Sequence, residues 1–475
     1  MLTVPLEYGD GHVRVEVPDS ALVFWPGRSH QDPPQVDPAE ATQRALEAPL
    51  GLPPLRELVR PGSRVVIAFP DRVKGGAHDR AHRKVAIPII IEELERAGVR
   101  PADIVLLCAM GLHRKNTYEE LAHYLGRPLV EAFWPDRLLM HDAEDPAGIT
   151  ALGTTEHGDL VEVNRLVAEA DLAILIGHTQ GNPYGGYSGG YKMAATGITT
   201  WRSIRGHHSP RTMLRSDFVP VNVEHSQMRR QFDAIGRAIE RGMGKRFFCV
   251  DAVLGTDSQV LGVFAGAPDA VQAASWPLAS RRTDVPLDIA EPFDVVVFGL
   301  PRSFHYGPGM GTNPILMLQA IGAQIVRHRD VLREGVVVIA ASLCDGWFND
   351  SWFPSYRVVF ERLVQVNELA EVSAFEEEIC TDPRLVWKYR AEYAYHPFHA
   401  FSMVYMGAVA HRYAERIFIV GARAPGYARA VGCVPVATFA DALRRAERIV
   451  GAVPRILVLP QAFTRVPVHL RRGRR

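Results

Sequence analysis

A lysine and a pair of histidines follow a stretch of the chain that is very rich in glycine. Six glycines lie between positions 177 and 190, and Lys192 comes directly after them. No helix or strand interior tolerates that many glycines, so the backbone there must adopt positive φ angles or approach a ligand closely. His207 and His208 follow one short segment later. This arrangement predicts a site for an anionic or metal-bearing cofactor.

The lysine does not belong to a Walker A loop. That motif requires Gly-Lys followed by Ser or Thr, whereas Tyr191 precedes Lys192 and Met193 follows it. From the residues alone, a surface loop with a solvated lysine is as good an interpretation as a cofactor site. A second glycine run, residues 307–312, lacks the G-x-G-x-x-G spacing of a dinucleotide site. A tight turn against an interdomain cleft is the favoured interpretation of that run.

Two more chemically useful residues lie at the ends of predicted strands. The apolar run at residues 64–69 ends at Asp71, and the run at residues 103–108 is followed by His113. A third such run, residues 171–176, leads into the glycine-rich loop. Functional groups of open α/β sheets tend to lie at the carboxyl ends of parallel strands. Three strand ends that each carry a candidate residue therefore predict one shared site.

These residues fall in blocks that resemble the nickel-dependent lactate racemase family. Gly185 to Lys192 match the core of a family motif that ends in Gly-Phe/Tyr-Ser-Gly-Gly-x-Lys. His208 lies sixteen residues after the lysine, where the family has its nickel-binding histidine. Met110 to Thr117 is similar to the family's Gly-Thr-His-Arg-x-x-Thr block, and Asp71 to Lys74 stands where the family has Asp-x-Thr-Arg-Pro. Cys344 to Gly346 is similar to a Cys-x-Asp-Gly block in the family's second domain.

The resemblance implies a specific cofactor and a role for each matching residue. The cofactor would be a nickel-pincer nucleotide, a pyridinium mononucleotide with two thio-acid arms, joined to Lys192 as a thioamide. His208 would bind the nickel, which accepts imidazole readily, and His113 would be a catalytic acid or base. The other residues predicted to contact the cofactor are Asp71, Lys74, Ser188, Gly189, Gly190 and Asn182. From the residues alone, Asp71 and Lys74 are equally a solvated loop pair, and His113 a hydrogen-bonded loop histidine.

The implied reaction is racemisation or epimerisation of a 2-hydroxy acid by reversible hydride transfer to the cofactor. Each face of the substrate then needs a proton carrier, a task that suits histidine. The family has its second catalytic histidine ten residues before the lysine, where this chain has Asn182, which cannot exchange a proton near neutral pH. His178, four residues earlier, is therefore the predicted second carrier, with His305 and Tyr306 as alternatives.

Further departures from the family motifs indicate a different substrate pocket. Lys74 stands where the family has an arginine, so a planar two-point clamp for carboxylate or phosphate is lost. The second-domain Tyr-Gln-x-x-Lys segment is not recognisable, and residues 304–311 stand near its place. The resemblance thus implies a 2-hydroxy acid other than lactate. Two alternatives stay open, namely one-sided hydride or other chemistry on the same cofactor, and a non-catalytic relative that binds the nucleotide or cofactor.

The hydrophobic pattern predicts two α/β domains with mostly parallel sheets and an active-site cleft between them. An N-terminal cofactor domain is expected at residues 1–280, and a C-terminal α/β domain that closes the site at residues 281–475. Residues 1–25 alternate like short antiparallel strands. A helix is expected to begin near Thr117, where Thr-x-x-Glu has the spacing of a capping box.

Composition favours a globular protein in a reducing compartment. Of the 475 residues, 47% are hydrophobic and 22% are charged, and the net charge of zero gives no support for a nucleic-acid or membrane surface. Five scattered cysteines without a Cys-x-x-Cys pair argue against disulfides and structural zinc. The chain shows no signal-peptide pattern and no apolar run of about 18 residues. A cytoplasmic enzyme is therefore predicted, with a small 2-hydroxy acid and cofactor-synthesis proteins as its partners.

Three groups of residues carry no clear functional pattern. The arginine-rich end, residues 471–475, is expected to be a solvated, disordered terminus. Four aromatic residues are expected either to wall the pocket or to pack in the core: Trp347, Trp352, Phe353 and Tyr356. No role is assigned to four histidines outside the motifs: His141, His157, His396 and His399.

Overall fold

The first sheet is built from the apolar runs that precede the candidate residues. The computed structural model describes residues 1–74 and 78–473, and within them this sheet has six strands. Neighbouring strands are parallel except for one antiparallel edge pair. In spatial order the strands are Val260–Gly266, Phe248–Leu254, Leu172–Thr179, Val65–Pro70, Ile104–Ala109 and Leu138–Met140.

The central strands are buried on both faces, as continuous apolar runs in parallel sheets generally are. All six residues of Val65–Pro70 are buried. Ile67 and Phe69 pack on the face that is covered by the helix His82–Arg96, whereas Val66 and Ala68 point to the opposite face. Helices therefore cover both faces of the sheet, and the core on the second face is shared with the second half of the chain.

In the sequence, the helices of the first half precede, connect or follow these strands. The predicted helix after Thr117 is confirmed, with both hydrogen bonds of the capping box between Thr117 and Glu120. Two short antiparallel strand pairs also occur, Ile149–Thr154 with Leu160–Asn164 and Gly181–Asn182 with Gly186–Tyr187. The helices are Pro38–Glu47, Leu55–Leu58, His82–Arg96, Tyr118–Leu125, Arg127–Phe133, Arg165–Glu169, Tyr191–Gly197, Trp201–His207, Pro210–Met213, Gln227–Met243 and Pro268–Thr283.

The second sheet has eight strands and includes the N-terminus of the chain. The hairpin Leu2–Gly9 with Gly11–Val17, predicted from alternation, pairs in parallel with Phe293–Pro301 through its first strand. The first strands of the chain thus lie in one sheet with strands from the second half of the chain. The other strands of this sheet are Leu332–Ala341, Ala414–Val420, Val434–Val436, Ile456–Leu459 and Leu22–Val23.

Two long apolar helices of the second half face the first sheet, and both contribute to the shared core. They are Pro314–His328 and Pro397–Tyr413, and they approach each other very closely. A Cβ atom on Gly322 would lie only 2.2 Å from the carbonyl oxygen of Met406, so only glycine fits at that contact. The remaining helices of this half are Pro354–Leu363, Glu376–Cys380, Pro383–Ala391, Pro425–Ala430 and Phe439–Val450.

The arginine-rich end of the chain differs from its prediction. His469–Arg472 is a strand that pairs in parallel with Asp284–Leu287, so Arg471 and Arg472 are ordered by backbone hydrogen bonding and are not a free tail. Residues 474 and 475 lie outside the described residues. In the second glycine run, Gly307–Pro308 pairs with Ser303–Phe304, and residues 309–312 form the predicted tight turn.

Both halves of the chain contribute to one continuous hydrophobic core. Val66 and Leu175 of the first sheet belong to the same cluster as Phe298 of the second sheet and Ile321 of the helix between them. The predicted fold class, two α/β units with mostly parallel sheets and a cleft between them, is confirmed. Within residues 1–74 and 78–473, no helix combines the length and apolar content that a membrane crossing requires.

Candidate active site between the two sheets

A cavity of about 550 Å³ lies between the carboxyl ends of the first-sheet strands and the apolar helices of the second half. The first half contributes Asp71, His113 and the glycine-rich loop with Lys192. The second half contributes residues of both long helices and the segment 462–467. The structure thus brings together the three strand ends that the sequence predicts to share a site.

Hydrogen bonds join the glycine-rich loop to the strands Leu172–Thr179 and Phe248–Leu254. The Gly190 N–H donates to Asp251 Oδ2 at 2.8 Å, and the Ser188 hydroxyl donates to the carbonyl of His178 at 2.8 Å. Gly189 has a φ of +82°, and a Cβ atom there would lie 2.4 Å from the Asp251 carboxylate. The missing side chain therefore allows the loop to close onto the sheet, and the helix Tyr191–Gly197 begins directly after it.

Lys192 extends from the first turn of that helix into an aromatic part of the cavity. Its Nζ donates to the carbonyl of Tyr184 at 3.2 Å and lies 5.3 Å from the centre of the Tyr184 ring and 5.8 Å from that of Phe232. Burial, together with the charges of Lys74 and Arg229, lowers the pKa of Lys192 well below its ordinary range. The amine is thus favoured in its neutral, nucleophilic form.

His208 lies in the cavity with a ring nitrogen free to act as an electron-pair donor. The Nε2 of His207 lies 3.3 Å from the carbonyl of Ala195, to which only an N–H can donate, so Nδ1 of the neutral His207 ring is an acceptor. The Nδ1 of His208 lies 2.6 Å from that acceptor and must carry the proton. This leaves an unprotonated Nε2 on His208, the form of imidazole that binds a metal.

Lys192 and His208 both contact the ring of Tyr184. The Tyr184 ring centre is 5.3 Å from Lys192 Nζ and 5.0 Å from the His208 ring centre, and both side chains line the cavity. His207, in contrast, is fully buried behind this surface. Burial lowers the pKa of His208 well below its ordinary value, which keeps the ring neutral.

His113 is oriented by a buried carboxylate at the neighbouring strand end. Its Nδ1 lies 2.8 Å from Asp71 Oδ2, and the other oxygen of Asp71 accepts the backbone N–H of Val73 at 3.2 Å. Burial would raise the pKa of Asp71, but His113, Lys74 and Arg83 outweigh burial and hold it below its ordinary value. A carboxylate at Nδ1 fixes the ring so that Nε2 is the atom available for proton exchange.

Comparison with known proteins shows which proteins this chain resembles. The profile of the lactate racemase N-terminal domain matches residues 8–217, which include the three strand ends. A lactate racemase of Thermoanaerobacterium thermosaccharolyticum is 23% identical over 364 residues, covering 74% of this chain and 79% of that protein. The chain is therefore similar to lactate racemases, and its residues 8–217 correspond to their N-terminal domain. The lactate racemase of Lactiplantibacillus plantarum is also similar, with 25% identity over 290 residues, which span 60% of this chain and 64% of that protein.

Solved structures share the fold over nearly the whole chain. The lactate racemase apoprotein from Thermoanaerobacterium thermosaccharolyticum superposes with a TM-score of 0.72 at 19% identity, covering 99% of this chain and 100% of that chain. A crystal structure of a Thermotoga maritima protein gives a TM-score of 0.58 at 14% identity, covering 93% and 99% of the two chains. The architecture is therefore common to these proteins although few residues are identical.

Lys74, which stands where the family has an arginine, has a cationic neighbour, Arg327, that the sequence did not identify. Lys74 Nζ lies 3.0 Å from Nε2 of the exposed His305, and burial lowers the pKa of Lys74 to about 8, although Asp71 opposes this shift. Arg327, at the end of the helix Pro314–His328, also lines the cavity. Among the described residues it has neither an ion pair nor a hydrogen bond, so its planar guanidinium is free to bind an anion.

The predicted second proton carrier also lines the cavity. His178 is the penultimate residue of the strand Leu172–Thr179, and no described residue forms a hydrogen bond with its ring. Burial and the charges of Lys74 and Lys192 lower its pKa to about 3. Asn182, at the position of the family histidine, lines the cavity and accepts the backbone N–H of Tyr184 at 2.9 Å.

The aromatic residues near position 350 pack behind the cavity and do not line it. Trp352 stacks on the Arg114 guanidinium at 3.8 Å, Trp347 is 45% exposed, and Phe353 is fully buried. Tyr356 is also buried, and its hydroxyl lies 2.6 Å from Nδ1 of His399, a cavity residue to which the sequence assigns no role. Arg327 and His399 come from helices without a motif, so no local signal could have identified them.

Proposed function

We propose that the protein racemises or epimerises a 2-hydroxy acid other than lactate, by reversible hydride transfer to a nickel-pincer nucleotide tethered to Lys192. The observation that carries this proposal is the placement of Lys192 and His208 on one aromatic ring inside the cavity, sixteen residues apart in the sequence. Similarity to lactate racemases supports racemisation. The hydride chemistry and the cofactor rest on the resemblance of the motifs.

The residues of the cavity fit this cofactor chemically. A neutral Lys192 amine can form the thioamide, and the unprotonated Nε2 of His208 can bind nickel. Among residues 1–74 and 78–473, no group of three or more His, Cys, Asp or Glu side chains forms a metal site of its own, so a single histidine requires donors from elsewhere. When bound, the cofactor supplies those donors and a hydride acceptor. The other predicted contacts are Asp71, Lys74, Asn182, Ser188, Gly189 and Gly190.

Within this proposal His113 exchanges the substrate's hydroxyl proton. Its Nε2 is free, while Asp71 holds Nδ1 and stabilises positive charge on the ring. Removal of the hydroxyl proton at Nε2 allows Cα to release its hydride, and the substrate becomes a planar 2-keto acid. Return of the hydride to the opposite face of that keto acid gives the inverted configuration. Inversion therefore needs proton exchange at a second oxygen position as well.

The substrate carboxylate is assigned to Arg327. Its guanidinium has no partner among the described residues, and burial lowers its pKa only to about 10, so it stays cationic at neutral pH. A planar two-point donor on this side of the cavity replaces the clamp that is lost where Lys74 stands. Because the clamp comes from a different element than in the family motif, the carbon skeleton of the substrate lies differently in the cavity. This supports an acid other than lactate.

Two alternatives share the same cavity. The first is one-sided hydride chemistry on the cofactor, which Asn182 favours because it stands where the family has its second catalytic histidine. The second is a non-catalytic relative that only binds the nucleotide or cofactor. The predicted dependence on cofactor-synthesis proteins and the predicted cytoplasmic location stay predictions.

The test is co-expression with cofactor-synthesis enzymes, followed by intact-mass measurement and nickel analysis. We expect one adduct on the peptide that contains Lys192, and we expect Lys192→Arg to remove both adduct and nickel. Lys115→Arg is the matched control, because Lys115 binds the carbonyl of Arg390 outside the cavity. Absence of adduct and nickel from the wild-type protein would leave only the non-catalytic alternative.

Chiral chromatography of single enantiomers then decides the reaction. Lactate, 2-hydroxybutyrate, malate, phenyllactate and gluconate are incubated separately with the loaded protein. We expect inversion of one of the larger acids and slower inversion of lactate. Formation of a 2-keto acid without inversion would establish one-sided chemistry instead.

A further inference from the structure

The proposed racemisation leaves one task without an assigned residue. Inversion places the hydroxyl oxygen of the two enantiomers at two positions, and each needs a group that exchanges a proton. His113 serves one position. Asn182, which stands where the family has its second histidine, has no group that is an acid or base near neutral pH. The second group must therefore come from another side chain of the cavity.

His399 lies beside His113 in the cavity. It belongs to the wall that the second half of the chain forms. It is in the first turn of the helix Pro397–Tyr413, is 3% exposed, and lines the cavity. The centres of the two imidazole rings are 5.7 Å apart, and the rings meet edge to face at 81°. The two rings are therefore immediate neighbours on the cavity wall. A keto oxygen can thus pass from one ring to the other by a rotation of the substrate.

The ring of His399 is held by one nitrogen, and its other nitrogen has no partner. Nδ1 lies 2.6 Å from the hydroxyl of Tyr356, whereas Nε2 is buried and forms no hydrogen bond with any described residue. A buried polar atom without a partner is costly unless a ligand satisfies it. Burial raises the pKa of Tyr356 well above its ordinary value, so the hydroxyl keeps its proton and can either donate to Nδ1 or accept from it.

The predicted carrier His178 lacks these features. Its ring forms no hydrogen bond with a described residue, whereas burial and nearby positive charge, including that of Lys74, lower the pKa of both His178 and His399. The two rings therefore differ in their partners, and a proton carrier needs a partner that fixes its ring. His399 has the hydroxyl of Tyr356 as that partner. It also has the rings of Tyr306 and Tyr395, whose centres lie 4.6 and 4.7 Å from its own.

We infer that His399, positioned by Tyr356, exchanges the hydroxyl proton of one enantiomer, and that His113 exchanges that of the other. This inference rests on the proposed function. In one direction the hydroxyl proton passes to Nε2 of His399, and Cα would release its hydride to the acceptor that the bound cofactor supplies, which leaves the 2-keto acid. The same hydride would return to the other face of Cα, and His113 would give a proton from its Nε2 to the oxygen. In the other direction the two histidines exchange roles, so one proton leaves the substrate and one returns.

The test is a single-turnover experiment with each enantiomer separately, in which the 2-keto acid is trapped with a hydrazine. The loaded wild-type protein is expected to form keto acid from both enantiomers. His399→Asn keeps a polar atom near Tyr356. It is expected to slow formation of the keto acid from one enantiomer by about 100-fold or more and to leave the rate for the other enantiomer within about threefold. His113→Asn is expected to show the opposite preference. Equal loss of both enantiomers in His399→Asn, or loss of neither, would overturn the inference.

Three further variants separate catalysis from packing. His396→Asn is the matched control, because His396 caps the same helix, an asparagine can cap it too, and the residue does not line the cavity. It is expected to leave the rate of keto-acid formation from both enantiomers unchanged. Tyr356→Phe is expected to slow the enantiomer that depends on His399 by about tenfold in kcat with KM unchanged. If His178→Asn gave the enantiomer-specific loss instead, His178 would be the carrier.

A binding measurement decides the role of His399 even if no acid is turned over. Pyruvate and phenylpyruvate are added to the unloaded protein, whose histidines carry ¹⁵N, and the ring nitrogens of His399 and His113 are identified with the two asparagine variants. Both Nε2 resonances are expected to shift on binding. A shift at His113 alone would show that His399 does not touch the ligand. Failure of the chiral assay with both shifts present would count against the proposed function and not against this contact.

Discussion

At the scale of single residues, the cavity stabilises uncharged side chains where most proteins would have charged ones. Burial lowers the pKa of Lys192 and of His208, so an amine that is usually protonated and an imidazole that is usually protonated in part are available as electron-pair donors. The hydrogen bonds from His208 through His207 to the carbonyl of Ala195 also specify which imidazole nitrogen is free. These are the properties that amine acylation and metal binding require.

Arg327 provides a residue-scale prediction about substrate binding. Arg327→Gln removes the only planar cation that we assign to the substrate carboxylate, and a hydrogen bond to a charged group contributes about 1.5–3 kcal/mol. We expect KM to rise about 10- to 100-fold with kcat changed by less than about threefold. Steady-state kinetics on the acid that the chiral panel identifies provides the measurement. Arg327→Lys should give an intermediate KM, because it keeps the charge but loses the two-point geometry.

The control for this prediction lies two residues further along the chain. Arg329 binds the carbonyl of Ser216 and the hydroxyl of Tyr413, and it does not line the cavity. Arg329→Gln should therefore leave KM unchanged. An unchanged KM in Arg327→Gln itself would mean that the substrate carboxylate binds elsewhere in the cavity.

At the scale of elements, the strand Phe248–Leu254 holds the glycine-rich loop through one carboxylate. Asp251 accepts the N–H of Gly190, and burial raises the pKa of Asp251 to about 7 although that N–H opposes the shift. Asp251→Ala should leave the Gly190 N–H unpaired and lower the free energy of unfolding by about 1–3 kcal/mol. Asp251→Asn should cost less, since its side-chain oxygen can still accept. Denaturant unfolding gives the first quantity, and amide hydrogen exchange at Gly190 reports on the loop.

The loop explanation depends on the difference between these two variants. If Asp251→Ala and Asp251→Asn accelerated exchange at Gly190 equally, the accepted hydrogen bond would not be what holds the loop. Exchange at Gly236, an amide of the helix Gln227–Met243, should stay slow in both and shows that the rest of the domain is intact.

The elements also explain which parts of the site could be predicted from the sequence. Asp71 directly follows one apolar run, and His113 and the loop that leads to Lys192 follow two others, so the positions of parallel strands determine where these side chains lie. Arg327 and His399 lie on two helices that are apolar over most of their surface and carry no motif. Their place in the cavity depends on the close helix contact at Gly322, which is a property of tertiary packing and leaves no periodic signal in the sequence.

At the scale of the whole molecule, the two halves of the chain are joined through strands that are far apart in sequence. The N-terminal hairpin pairs with Phe293–Pro301, which a division of the chain at residue 280 does not anticipate. Alternation identifies such a hairpin but cannot specify the sheet it joins, because pairing partners are set by long-range contacts. The cavity therefore depends on the N-terminus, although no residue of the hairpin lines it.

Glu7 connects this hairpin to the cavity wall and gives a prediction about stability and pH. Its two oxygens accept the backbone N–H groups of Phe463 and Thr464, which line the cavity, at 3.2 and 3.1 Å. Burial raises the pKa of Glu7 to about 7 in the folded chain, although these hydrogen bonds oppose the shift. Since the unfolded chain loses this proton near pH 4.5, Glu7 lowers the free energy of unfolding increasingly as the pH rises towards 7.

Glu7→Gln should remove that pH dependence. Relative to the wild-type protein, the variant should gain about 2 kcal/mol in free energy of unfolding between pH 5 and pH 8, because a pKa shift of one unit corresponds to about 1.4 kcal/mol. Urea unfolding at both pH values measures the change, and Glu16→Gln, on the exposed second strand of the same hairpin, is the matched control. A difference between Glu7→Gln and wild type that is the same at pH 5 and pH 8 would show that Glu7 is ionised in the folded chain throughout this range. In that case the contact between the hairpin and the cavity wall would be an ordinary charged hydrogen bond that does not respond to pH.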